Sequence, residues 1–402
     1  MKWISIGDFR FGIEEKKYIQ QVVDSNRITE SKKVMKFENN FSKYLETKYT
    51  ILTNSGTSAL ILGLESLKQQ GVKVNTKIIT SPLTFAATVN AIALTGFNPI
   101  FVDIDPDTFV INPELVSEHL ENTRQINDYS MVLPVHLMGY PADMEKLNNI
   151  CKKNNLIAFE DSAQAHGTVS NGRKCGALSK VSAFSFYIAH NIQVGEMGAI
   201  TTSDVELAKL ARRIKANGRL CDCQICTRSQ GICPYNSIDN VDPRFTHSHI
   251  GYNFKTTEFM AAIGLAQLSR IDSIIKKRQE NVKVLNDGLA KYSDIIQLPK
   301  FSKDISYMAY PLVLLNDSKI SRNKLLSRLE KKGIESRPLF SCIPTHQPSY
   351  NHLKRKYSGR LPNAEFVGKN GFYIGCHQYL SEDDLDYIIQ FFNRWIDRNF
   401  LS

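Results

Sequence analysis

The sequence predicts an α/β protein: a doubly wound, mostly parallel sheet in a large N-terminal domain, followed by a smaller α+β C-terminal domain. Three observations carry this expectation. Short β-rich runs alternate with helical patterns over about the first 200 residues. Those runs are almost wholly apolar, as strands covered on both faces must be. The texture then changes from about Asp204 onward.

Taken in order, "YTILTN" precedes "SALILGLESLKQQ", "KIIT" precedes "FAATVNAIALTG", and "PIFVDI" precedes "PELVSEHLE". "MVLPV" precedes "DMEKLNNICKKN", and "LIAFED" closes the series. Each strand–helix–strand step takes a right-handed crossover, and ligands of such sheets gather beyond the carboxyl ends of the strands. "TNSGTSAL", "TSPLTF" and "EDSAQAHG" all fall there. Past Asp204, "DVELAKLARRIKANG" reads as a helix ending at Gly218 in the manner of a C-cap. A cysteine-bearing polar segment runs on through "THSHIGYNF". One long helical pattern, "TTEFMAAIGLAQLSRIDSIIKKRQENVKVLNDGLAKY", then leads into the C-terminal part. That part holds a strand, "MAYPLVLL", a helix, "SRNKLLSRLEKKG", and a closing helix, "SEDDLDYIIQFFNRWIDRNF". The expected division is a large domain over residues 1–255, including a cysteine loop at 219–248, and a linking helix with a small domain over 256–402.

A chain of 402 residues can bury one large core and a smaller one. Its 42% hydrophobic and 22% charged residues are those of a globular protein. Apolar runs such as "AAIGLAQL" fall far short of the roughly 20 residues of a membrane span. The opening "MKWISIGDFRFGIEEKKY" lacks the apolar core and cleavage site of a secretory signal, so a cytoplasmic, membrane-free protein is expected. The net charge of +10 fits either a solvated lysine-rich surface or a polyanionic ligand. No zinc-finger pattern, aromatic RNA-binding signature or long basic arm accompanies it, which argues against nucleic acid.

Gly56, Thr57 and Ser58 in "NSGTSAL" sit at a strand end and a helix start. Free amides with two hydroxyls there make either a phosphate cradle or an ordinary helix cap. In "FEDSAQAHG", Asp161 stands at a strand tip, where it can hold a heterocyclic nitrogen protonated or simply cap a turn. Gln164 lies three residues on. Four of the eight cysteines, Cys221, Cys223, Cys226 and Cys233, crowd into "CDCQICTRSQGIC", a spacing that points to metal or redox chemistry rather than a disulfide framework. Thiolates on one short loop suit an iron–sulfur cluster. Cys223 and Cys226 also match a zinc knuckle, although Cys221-x-Cys223 fits it poorly. Cys175 is a substitute ligand, while Cys151, Cys342 and Cys376 read as small buried residues.

Nearly the whole chain, from "FENNFSKYL" to "FYIGCHQYLSEDDL", resembles the DegT-type sugar aminotransferase and dehydratase family of fold-type I pyridoxal-phosphate enzymes. The matching pieces are "TNSGTSAL", "TFAATVNAI", "PVHLMGYPADM", "EDSAQAHG", "SFYIAHNIQVGEMGAI" and "IGYNFKTTEFMAAIGLAQL". The resemblance implies an aminotransferase-like fold binding pyridoxal or pyridoxamine 5'-phosphate. Gly56, Thr57, Ser58 and Ser185 would contact the phosphate, Phe85 would lie on the ring, Asp161 would face the ring nitrogen and Gln164 the ring oxygen. It also implies a homodimer in which Asn253 reaches the neighbouring subunit's phosphate, and a substrate-side loop, "GIESRPLF", carrying Arg337.

Most members of that family carry a cofactor-bonding lysine where this chain has His190. Imidazole cannot form that bond but titrates near neutrality, so it suits proton transfer to a detachable amine cofactor. Two branches of the family carry histidine, and both are 3-dehydratases of nucleotide-linked 4-keto-6-deoxy sugars. One regains its amine from glutamate. The other, of CDP-4-keto-6-deoxyglucose 3-dehydrase type, holds a [2Fe–2S] cluster fed by a flavin/iron–sulfur reductase. Cys221 and Cys223 follow His190 at about the interval seen there. The chain departs from that branch beside the "ED" motif, where Ser162 and Ala163 replace a cluster cysteine, so the four thiolates share one loop and the cluster can be [2Fe–2S] or [4Fe–4S]. A glutamate-dependent dehydratase with structural zinc is the alternative. A catalytically silent relative is a third, against which the retained Asp161, Gln164 and Ser185 argue.

Overall fold

The computed structural model describes residues 3–235, 241–243, 245–315 and 321–401. Residues 236–240 and 244 of the expected cysteine loop lie outside them.

Seven strands form the main sheet: β1 (Tyr49–Thr53), β2 (Lys77–Thr80), β3 (Asn98–Phe101), β4 (Tyr129–Leu133), β5 (Ile157–Asp161), and, past a small hairpin of β6 (Val169–Ser170) and β7 (Arg173–Lys174), β8 (Val181–Ser185) and β9 (Gly198–Thr202). Their spatial order is β1-β9-β8-β5-β4-β2-β3. The pairs from β8 through β5, β4 and β2 to β3 are parallel, and β9 alone runs antiparallel, between β8 and β1. The apolar character of the runs follows from burial on both faces. Successive residues Ile51/Leu52, Ile78/Ile79, Val132/Leu133 and Ala183/Phe184 point into different cores. On one face lie α3 (Gly56–Gln69), α4 (Ala86–Leu94) and α7 (Val205–Ile214), packed through Leu60, Leu64, Ile92, Leu207 and Ala211. The other face is covered by α5 (Pro113–Glu121), α6 (Met144–Lys153), α2 (Lys32–Leu45) and α8 (Glu258–Leu268), with α1 (Ile13–Ser25) against α8.

Two helix ends differ from the sequence expectation. The helix after Asp204 stops at Ile214, not Gly218, because the returning chain takes its last carbonyls: the Tyr252 amide bonds Ile214 and the Phe254 amide bonds Lys215. Gly218 sits beyond, at φ +73, where a Cβ would lie 1.8 Å from the His249 carbonyl oxygen. The long helical pattern breaks at Ser269–Arg270 into α8 and α9 (Ile271–Leu289). There the Arg270 guanidinium turns to pair with Glu15, a buried carboxylate of α1 that also accepts from Gln267. A contact so distant in sequence leaves no local signal.

Beyond α9, a second sheet of order β10-β11-β13-β12 is antiparallel throughout, formed by β10 (Ile296–Gln297), β11 (Tyr310–Leu314), β12 (Ser336–Pro338) and β13 (Gly371–Ile374). α10 (Arg322–Lys331) and the closing α11 (Glu382–Ile396) cover it, the latter started by a Ser381/Asp384 capping box. Among the described residues no helix is long and apolar enough to cross a membrane.

Candidate active site

A cavity of about 430 Å³ opens where β1, β5 and β8 end, and residues near β11, β12 and β13 close its far wall. Its lining includes Gly56, Thr57, Phe85, Asp161, Gln164, Ser185 and His190, together with Arg337. Most of the residues singled out in the sequence therefore meet in one place.

The phosphate-like end is built by α3. Ser55 caps the helix, its Oγ accepting the Ser58 amide at 3.1 Å. The Ser58 hydroxyl lies 3.0 Å from the same Oγ, and Ser58 is absent from the lining, where Ser55 appears instead. The first two amides of the helix, Gly56 and Thr57, are left to face a ligand at the positive end of the helix dipole. Gly56 lets this helix start approach the end of β8, since a Cβ there would lie 2.5 Å from Cβ of Ser185. Gly56→Ala is accordingly expected to destabilise the chain by about 1–3 kcal/mol, read in denaturant unfolding. An unchanged midpoint would show that Ser185 yields freely.

Asp161 is buried at the tip of β5. The Thr88 hydroxyl donates to its Oδ2 at 2.7 Å and the Ala163 amide to Oδ1 at 3.2 Å. Burial raises its pKa, and these two donors act against that. Such a carboxylate, fixed in orientation and without a cationic side chain in salt-bridge range, is complementary to a protonated ring nitrogen. Thr88, one helical turn after Phe85 in "LTFAAT", was not singled out from the sequence. Gln164 spends its oxygen on the Met138 amide at 2.7 Å, which leaves its NH₂ to serve a ligand. Phe85 is 61% exposed at the cavity mouth, its ring tilted against Phe340 at 6.0 Å between centroids. Arg337, on β12, is paired with Glu335 at 2.9 Å. Asn253 is exposed and outside this cavity.

His190 is fixed more tightly than an ordinary loop histidine. Its Nδ1 lies 2.9 Å from the Ser185 carbonyl, which can only accept. The proton is thereby held on Nδ1, and Nε2 carries the basic lone pair. Burial lowers its pKa to about 4. Burial likewise drives His166 well down and takes His377 to about 4. The sign follows directly: the unfolded chain binds these protons below about pH 6.5 and the folded chain does not. Stability is thus full above that pH and falls as pH drops toward 4, by on the order of 3 kcal/mol each for His190 and His377, with His166 acting in the same direction. Thermal melts across that window check it.

The four loop cysteines are free, with Cys223 and Cys226 exposed and Cys221 and Cys233 half-buried. Burial and the neighbouring thiols push Cys223 up to about 11, and Cys221 is raised by burial with Cys226 and Cys233 adding. They are thus electrostatic neighbours, although no three of them bring their sulfurs within 4.8 Å of one another. Gln224, inside the cluster, donates to the buried Glu38 carboxylate at 2.7 Å. The other Glu38 oxygen accepts from the Leu52 amide on β1, at 2.9 Å, and lies 3.7 Å from Lys215 Nζ. Cys175 belongs elsewhere, in a fully buried group with His136 and Glu160. The Glu160 carboxylate there is saturated by the amides of Gly176 and Leu178, the Ser179 hydroxyl and His136, which marks a structural fastening. Cys151, Cys342 and Cys376 are buried, as expected of small apolar-like residues.

A cavity beyond parallel strand tips, with an acid, a helix start and a β8–β9 turn converging on it, is the architecture of fold-type I pyridoxal-phosphate enzymes. Within that class the chain belongs to the DegT/DnrJ/EryC1/StrS aminotransferase family, whose model matches residues 11–393. It is 30% identical over 376 residues to the lipopolysaccharide biosynthesis protein RfbH of Salmonella typhimurium, covering 90% of this chain and 85% of that one. It is also 30% identical to GDP-perosamine synthase of Escherichia coli O157:H7, covering 98% and 99%. Among solved structures, E. coli GDP-4-keto-6-deoxy-D-mannose-3-dehydratase with bound hydrated PLP superposes with a TM-score of 0.84 at 25% identity, covering 97% and 99%.

Proposed function

We propose that this chain is a pyridoxamine-phosphate-dependent 3-dehydratase of a nucleotide-linked 4-keto-6-deoxy hexose, with an iron–sulfur cluster on the cysteine loop. The observation that carries this reading is His190, an imidazole in the cavity with Nδ1 tied to a carbonyl, at the position where most members of the family the sequence resembles would carry a cofactor-bonding lysine. The cavity fits the cofactor. Gly56, Thr57 and Ser185 would hold its phosphate, Asp161 its ring nitrogen, Gln164 its ring oxygen, and Phe85 would cover one face. When bound, pyridoxamine phosphate supplies an amine that condenses with the C4 ketone and a ring that takes up electrons.

The chain's own groups do the rest. Nε2 of His190 takes a proton at the carbon bearing that amine and returns one to the C3 hydroxyl, which leaves as water. Asp161, held by Thr88, keeps the ring nitrogen protonated. Arg337 and the C-terminal wall orient the sugar, so residues 1–255 would bind the cofactor and residues 256–402 would close over the substrate. Asn253 would complete the site of a second subunit in a homodimer.

The donor chemistry of four free thiols on one loop suits iron and sulfide. A flavin/iron–sulfur reductase would supply electrons to the cluster, and the whole would work in the cytoplasm. The deciding experiment is anaerobic purification with iron and sulfide analysis, then incubation with CDP-, GDP- and dTDP-linked 4-keto-6-deoxy hexoses and pyridoxamine phosphate. Loss of the C3 oxygen is expected. Amino transfer with that oxygen retained would refute the dehydratase reading, and iron-free, zinc-loaded protein would refute the cluster.

A further inference from the structure

Phe340 lines the cavity with a backbone that aromatic residues rarely take. Its φ is 52, in the left-handed region where a Cβ crowds the following carbonyl. The chain on either side is fastened. The Leu339 amide donates to the Gly371 carbonyl of β13 at 3.0 Å, and the Phe340 amide to the Pro338 carbonyl at 2.7 Å. The Ile343 amide donates to the Pro82 carbonyl at 2.8 Å, and beside it Cys342 forms an antiparallel bridge with Leu83. Backbone strain of this kind persists only where the surroundings fix it, and it gathers at working sites.

The tie to Pro82 and Leu83 is the informative one, because those residues lead straight into Phe85, the N-cap of α4. The segment that turns Phe340 inward therefore also holds the approach to Phe85. The two rings meet at 6.0 Å between centroids with a 55° tilt, inside the range of favourable aromatic pairs. Phe340 in turn meets Tyr373 of β13, a buried ring on the same cavity wall, at 6.4 Å. Phe85, exposed at the mouth, thus has its ring backed from the C-terminal sheet. The helix start at Gly56, Asp161 and Gln164 are held instead from the N-terminal part, by Ser55, Thr88 and Met138.

We propose that Phe340 is a positioning residue for the cofactor: it braces Phe85 in the attitude that covers the pyridine ring, so the C-terminal part takes a share in cofactor binding through Phe85. The inference rests on the reading that the cavity holds pyridoxamine phosphate with Phe85 on its ring. A braced side chain has less rotational freedom to lose on binding than a free one, so the brace registers as affinity.

The test is an absorbance titration of the full chain with pyridoxamine phosphate. Phe340→Leu, which keeps bulk and loses the flat face, is expected to raise Kd roughly two- to tenfold. Phe340→Tyr should bind as wild type does. Phe85→Leu should weaken binding as well, and in that background Phe340→Leu should add nothing, because non-additivity marks one residue acting through another. Phe340→Gly, free to adopt the left-handed φ, carries the same cycle should Phe340→Leu not fold. Equal affinity in wild type and folded Phe340→Leu, or additive losses in the double variant, overturns the proposal. Wild type that binds no pyridoxamine phosphate fails at an earlier point, in the cofactor reading itself, and takes the proposal with it.

Discussion

His190→Ala is expected to cut the C3 elimination by about 10²- to 10⁴-fold while cofactor binding, followed by absorbance, persists. The reasoning is local. The phosphate end, Asp161 and Gln164 are held by Ser55, Thr88 and Met138, none of which depends on the imidazole. What disappears is the one cavity group with a proton-accepting nitrogen whose tautomer the backbone sets. His190→Lys makes the complementary case: a side-chain amine at this position regains a covalent hold on the cofactor, and amino transfer should emerge as elimination falls. Undiminished dehydration by the alanine variant would take the imidazole out of the chemistry altogether.

The second large effect is expected at the cysteine loop. Cys223→Ser should lower iron and sulfide content by roughly tenfold or more, because one of four thiolates carries a substantial share of the binding free energy. Brown colour and reductase-driven turnover should go with it. Cofactor binding should not, since no loop cysteine lines the cavity. The raised thiol of Cys223 adds a pH signature: a metal must displace its proton, so loading should improve as pH rises. Activity that survives the substitution at wild-type level would show that the loop serves structure only.

The main sheet was legible because burial on both faces leaves its mark in composition: Ile78 and Ile79 serve opposite cores, so neither can be polar. Motifs at strand tips were legible for a related reason, since polar clusters at the ends of apolar runs have to be functional or capping. The choice between those two was not. Ser55 does both, capping the helix and lining the cavity, whereas Ser58 is absent from the lining. Of the small sheet, β11 was legible in "MAYPLVLL", while β10 and β12 span only two and three residues, too few to show a period. The fully buried Arg278 did carry a signal. It sits in the buried stripe Ile271, Ile274, Ile275, Val282, Leu285 of α9, where an aliphatic residue belongs. The break before that helix had none, because its cause, Glu15, lies in α1.

The bond from Gln224 to Glu38 ties the cysteine loop to the scaffold. Glu38 also grips the strand that ends at the first amides of α3, so grafting a foreign loop between residues 219 and 248 would strip one donor from a carboxylate sealed beside Lys215. The loop is therefore not an interchangeable insert: whatever replaces it has to supply a donor to that acid.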